Sequence, residues 1–133
     1  MYFDIRKGAH SIGSNVRDSA SYVLWSLARA QSVDALKPHA IDLARHLVTV
    51  SLFDREIHIR RAASAAFQEY VGRTVSVWVV CGKCEAKTSR QNLFPHGIDV
   101  LRKTDFYAIG IRRNAFLVAA PEVAEYATCT TRS

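Results

Sequence analysis

The chain has 133 residues, 49% of them hydrophobic and 23% charged, a composition that suits one globular domain and excludes a wholly disordered polymer. Its formal net charge of +6, from 18 Lys and Arg against 12 Asp and Glu, attracts acidic partners at long range. The charges are scattered, however, and do not choose among nucleic acid, anionic membrane and acidic protein. No run approaches the roughly 20 apolar residues that span a bilayer, and MYFDIRKGAH at the start lacks the apolar stretch of a secretory signal. The three cysteines, Cys81, Cys84 and Cys129, are odd in number and unevenly spaced, so a disulfide framework is excluded and a reducing, cytoplasmic setting is expected.

In chain order, the first predicted helix covers Asn15 to Ala30. Val16, Ala20, Val23, Leu24 and Leu27 recur on one face, and Ser14 or Asn15 offers a capping oxygen. Tyr22 and Trp25 lie one turn apart beside that face, as edges of a core or, if left uncovered, as aromatic anchors for a protein partner. A second helix is predicted from Pro38 to Ser51, with Pro38 near its first turn and Ile41, Ala44, Leu47, Val48 and Leu52 facing inward. The third, from His58 to Val71, places Ile59, Ala63, Ala66, Phe67 and Tyr70 on its apolar side, with His58 as a cap and Gly72 at its end.

The first and third helices align without a gap at an offset of 43 residues. Arg17 matches Arg60, Ala20 matches Ala63, Ser21 matches Ser64, and Val16 is replaced by Ile59. That offset lies within the period of about 40 to 47 residues of HEAT and armadillo units, whose helices stack into a continuous core. The expected fold is therefore all-α, a HEAT/armadillo-type helical repeat, against the plainer alternative of a helical bundle in which one face happens to recur.

Residues 74–92, TVSVWVVCGKCEAKTSRQN, break the pattern. Val75, Val77 and Val79 alternate as in a strand, and a polar, basic tail follows. Within it Cys81-Gly-Lys-Cys84 has the two-residue gap of half a zinc site, but neither Cys129 nor His96 has the paired spacing that would complete it, so no metal is expected.

Four stretches carry a family resemblance: GAHSIGSNVRDSASYVLWSLARA from Gly8, LKPHAIDLARHLV from Leu36, FDREIHIRRAASAAFQEYVGR from Phe53, and LFPHGIDVLRKTDFYAIGIRRNAFLV from Leu93. In this order they resemble the tubulin-folding cofactor D family, large HEAT-repeat chaperones, and RRAASAAFQE followed by FPHGID is the most specific part. The resemblance divides the chain into helical repeats at 1–73, an atypical insertion at 74–92 of strand-like or disordered character, a further helical segment at 93–118, and a divergent tail at 119–133. In the family the segment like VGR runs almost directly into the one like FPHGID, so the intervening residues look like an insertion of the kind a retained intron leaves. The fading after Val118 looks like a frameshift or premature stop. The resemblance also implies a function as a scaffold: capture of β-tubulin and, with sister cofactors and an Arf-like small GTPase, assembly of the α/β heterodimer. Stimulation of GTP hydrolysis by tubulin would belong to that assembly, and the expected location is cytoplasmic and microtubule-associated.

No enzyme chemistry is expected. The five histidines stand in no pattern with a nucleophile or carboxylate, and no glycine-rich phosphate loop exists, so neither a catalytic residue nor a cofactor is assigned. Arg55, Arg60, Arg61 and Arg73, with Arg112 and Arg113, form a basic row if successive repeats stack in register. Such a row suits carboxylate recognition by the planar guanidinium fork. The expected contact residues for a protein partner are Arg60, Arg61, Arg112, Arg113, Tyr22 and Trp25. For each arginine the plainer reading is a solvated face or a pair with Asp18, Asp54 or Glu56. Two competing readings are a basic helical-repeat module for nucleic acid or transport partners, disfavoured by the lack of aromatic interleaving, and a truncated gene product without function.

Overall fold

The computed structural model of the chain describes residues 5–7, 10–80 and 97–127. Two short strands, β1 (Ile5–Lys7) and β2 (His10–Ile12), pair antiparallel with Ile5 opposite Ile12. The rest is helical: α1 (Ser14–Ala30), α2 (Val33–Leu36), a 3-10 turn (Lys37–His39), α3 (Ala40–Phe53), α4 (Ile57–Val80), α5 (Gly97–Lys103), a 3-10 turn (Ala108–Gly110), α6 (Arg112–Asn114), a π-helical turn (Ala115–Ala119) and α7 (Ala120–Ala127). The hairpin apart, this is the helical-repeat architecture that the 43-residue offset predicts.

α4 is the centre of the molecule, with α1 packed along one side and α3 along another. Ile59, Ala63, Ala66, Phe67 and Tyr70 are all at most 2% exposed, so the predicted apolar face of this helix is the buried one. Each large side chain among them contributes about 1.5–3 kcal/mol by leaving water. Ala28, Ala40, Leu47, Val50 and Val100 join them in one core, against which Leu24, Trp25, Leu43, Val48 and Phe106 pack from the edges. A second cluster of Leu52, Ile109, Ala115 and Ala119 ties α3 to the C-terminal helices.

The predicted inner face of α1 is corrected. Val16, Val23 and Leu27 are exposed, and the buried line is Arg17, Ser21 and Ala28, with Leu24 beside it. Hydrophobicity ranks these residues the other way, but Ser21 and Ala28 are small enough to admit α4 closely and Arg17 carries a buried partner. The Ser21 hydroxyl donates to the Arg17 carbonyl at 3.0 Å, which satisfies it where water cannot reach. Ile41 on α3 is likewise exposed, whereas Leu47 and Leu52 are buried as expected.

Helix ends differ as well. Neither Ser14 nor Asn15 caps α1: the cap position is Gly13, at φ 109°, a conformation that glycine adopts without strain. The α4 helix begins at Ile57, so His58 lies inside its first turn, and Gly72 lies within it. There the Asp54 carboxylate accepts the Glu56 N–H at 2.9 Å, turning the chain into the helix. Beyond Gly72 the helix continues through 74–80, where alternation suggested a strand. Extending a formed helix adds a hydrogen bond for each residue fixed, without a second nucleation, and seven residues of β-branched pattern do not overcome that. The remainder of the 74–92 segment, with Cys81 and Cys84, lies outside the described residues.

At the other end helical structure passes Val118 and reaches Ala127, into the segment expected to diverge. Pro121 explains the π-helical turn just before it. Proline has no N–H to donate and its ring crowds the carbonyl four residues back, and widening that turn accommodates both.

Candidate protein-binding groove

Two faces of the repeat meet across an open groove of about 440 Å³ between α1 and α4. From α1 come Asp18, Ser21, Tyr22 and Trp25, spaced three and four residues apart as one helical stripe. His58, Arg61, Ala62 and Ala65 form the facing stripe on α4, and Ile57 also lines the groove. The floor is low because Ser21, Ala62 and Ala65 are small, whereas Tyr22 and Trp25 stand up as one wall. Tyr22 is 61% exposed; Trp25 is half-buried, with the Arg29 guanidinium 4.8 Å from its ring centroid. Asp18 and Arg61 hold equivalent positions in the two repeats, so the repeat reverses charge across the groove. Among the described residues Asp18, Tyr22, His58 and Arg61 have neither a hydrogen bond nor an ion pair to another side chain.

Two buried arginines hold this geometry. Arg17 reaches from α1 to the loop before α4, its Nε donating to Asp54 Oδ2 at 2.8 Å and its Nη2 to Oδ1 at 3.4 Å. The two side chains are 3% and 7% exposed, and removing one partner of such a pair costs about 3–5 kcal/mol. Arg60, its equivalent one repeat on, reaches in the same sense to the turn before α6. It donates to the carbonyls of Ile109 at 2.7 Å and Gly110 at 3.1 Å, and to those of Asp54 and Arg55 at 2.9 Å. Desolvation by burial pulls the Arg60 guanidinium below its ordinary range, opposed by the nearby Asp54 carboxylate. Successive repeats are therefore stitched by an arginine inserted into the next repeat's loop.

The expected contact residues separate accordingly. Tyr22, Trp25 and Arg61 are brought together in the groove. Arg60 is corrected to an interior residue, 2% exposed, so the basic row is broken at its middle. Arg73 is drawn to Glu69 at 3.3 Å, Arg112 lies over the Phe116 ring at 5.6 Å, and Arg113 is exposed and does not line the groove. Asp18 and His58 are the titratable groove residues that the sequence did not offer as contacts, and Ser21, Ile57, Ala62 and Ala65 were not offered either. The signal for Asp18 and His58 was there in their helical spacing to Tyr22 and Arg61, but nothing in sequence showed which face of α1 would remain open.

Among the described residues no group of three His, Cys, Asp or Glu could hold a metal ion, and no helix is long and apolar enough to cross a membrane. Residues 1–78 match a family model described as tubulin-specific chaperone D-like, ARM repeats. The chain is similar to tubulin-specific chaperone D of Dictyostelium discoideum, 45% identical over 116 residues that make up 87% of this chain and 7% of the relative. It is 36% identical over 77 residues to tubulin-folding cofactor D of Schizosaccharomyces pombe, covering 58% of this chain and again 7% of the relative. The matched part is thus a small share of either relative. No solved structure matches the chain.

Proposed function

The chain belongs to the tubulin-specific chaperone D-like family of ARM repeats, and from that premise we propose that it is one segment of a tubulin-folding scaffold that contacts β-tubulin through the groove between α1 and α4. The observation that supports this reading is that the family match, residues 1–78, takes in both walls of the groove. Aromatic and arginine side chains at the centre of an interface supply most of its binding energy, and Tyr22, Trp25 and Arg61 supply that composition. The segment works by holding a client in place and not by bond chemistry. Sister cofactors and an Arf-like small GTPase are its expected companions, with stimulation of GTP hydrolysis by tubulin a property of the assembly. A cytoplasmic, microtubule-associated location follows from the same reading. The nucleic-acid alternative rested on the net charge and the arginine row, and the row is interrupted at Arg60.

Capture of β-tubulin by the immobilised chain tests the proposal. Arg61→Glu is expected to weaken capture more than Lys103→Glu, both residues being exposed and Lys103 lying on α5. Equal capture by the two variants would remove the groove from the tubulin contact.

A further inference from the structure

Only some ligands satisfy the groove's particular mixture of groups. Arg61 offers a planar donor fork with no carboxylate among the described residues to occupy it, and His58 is one turn away on the same stripe. Asp18 stands opposite, likewise without a hydrogen bond or ion pair among the described residues, and its carboxylate can only accept hydrogen bonds. Trp25 and Ile57 add apolar surface above a floor of small side chains.

A phosphate group would satisfy Arg61 but brings no N–H donor to Asp18. A polypeptide satisfies both, since its main chain carries N–H groups for Asp18 while a side-chain carboxylate reaches Arg61. We propose that the groove binds an extended peptide segment carrying a carboxylate side chain next to a large apolar one, the carboxylate on Arg61 and the apolar group against Trp25. Charge complementarity selects this occupant, and the inference rests on the scaffold reading only in assigning the segment to a client protein.

The test uses the whole chain and labelled peptides held extended, in which a glutamate adjoins a leucine, with the glutamate also replaced by glutamine or lysine. Fluorescence anisotropy is expected to show the glutamate peptide binding about tenfold more tightly than the lysine peptide. Arg61→Glu is expected to reverse that order, Arg61→Gln to abolish the preference, and Trp25→Ala to weaken all three peptides. Circular dichroism of each variant checks that the helices survive. Equal binding of the glutamate and lysine peptides, no binding of any of them, an unchanged preference in Arg61→Glu, or displacement by a single-stranded oligonucleotide would each overturn the proposal. β-Tubulin capture run in parallel separates the two readings. Capture without peptide preference sinks the groove chemistry alone, and peptide preference without capture sinks the scaffold assignment.

Discussion

Arg17, Arg60 and Arg61 are one residue type in one kind of helix, yet they do three different things. Arg17 is neutralised by a buried carboxylate, Arg60 is solvated by backbone carbonyls, and Arg61 faces the groove. Asp54→Ala should therefore cost about 3–5 kcal/mol, because it strands the Arg17 charge, whereas Arg61→Ala should change stability by less than about 0.5 kcal/mol. Urea denaturation of the two variants measures the difference directly. Tyr70 gives a pH signature. Burial raises its phenol above the ordinary range, so the folded chain keeps the proton after the unfolded chain has lost it. That contribution is complete below the unfolded pKa of about 10 and is lost as pH rises toward the raised folded value. Tyr70→Phe should flatten the alkaline decline in melting temperature, and an unchanged slope would assign that decline to other groups. The equivalence of Arg17 and Arg60 was legible in the sequence; that both are interior was not, since Arg17 pairs 37 residues away and Arg60 joins its near partners at Asp54 and Arg55 to carbonyls about 50 residues away.

At the scale of elements, α4 was the helix most fully legible, because its five predicted core residues are large or small in the places that close packing on α1 and α3 requires. The rotation of α1 was hidden: its core line contains an arginine and a serine, which no hydropathy pattern selects. Two glycines test how the helices are built. Gly72 sits inside α4 with open space where a Cβ would stand, so Gly72→Ala should stabilise the chain by about 0.5–1 kcal/mol through reduced backbone entropy. Gly13 is held at φ 109°, so Gly13→Ala should destabilise it by about 1–2 kcal/mol. Thermal melts of both variants check the pair, and the same sign of shift in both would contradict the assigned helix start or the continuity of α4. The segment at 74–80 misled for a simple reason: a run of β-branched residues reads as a strand in isolation but as one more helical turn when a helix already leads into it.

Across the whole molecule the two repeats share a core yet leave apolar side chains at the surface. Val16, Val23 and Leu27 are exposed on α1, and Ile111 and Leu117 near the C-terminal helices. Such faces fit a repeat architecture, in which each unit buries its surface only by stacking on neighbours. The groove lies between α1 and α4, which the Arg17–Asp54 pair joins at the start of α4. Family membership was legible from the ordered motifs, and the groove was legible only in part. Tyr22, Trp25 and Arg61 could be named from sequence, but their convergence depends on the helix rotation set by Arg17. Hydroxyl-radical footprinting of the chain with and without β-tubulin tests the central claim most directly, since the reactive side chains are already placed. Tyr22 and Trp25 should lose labelling when β-tubulin is added, while Tyr107, 97% exposed and outside the groove lining, should keep it. Unchanged labelling at Tyr22 and Trp25, or protection confined to Tyr107, would contradict the claim that this groove is the tubulin-binding surface.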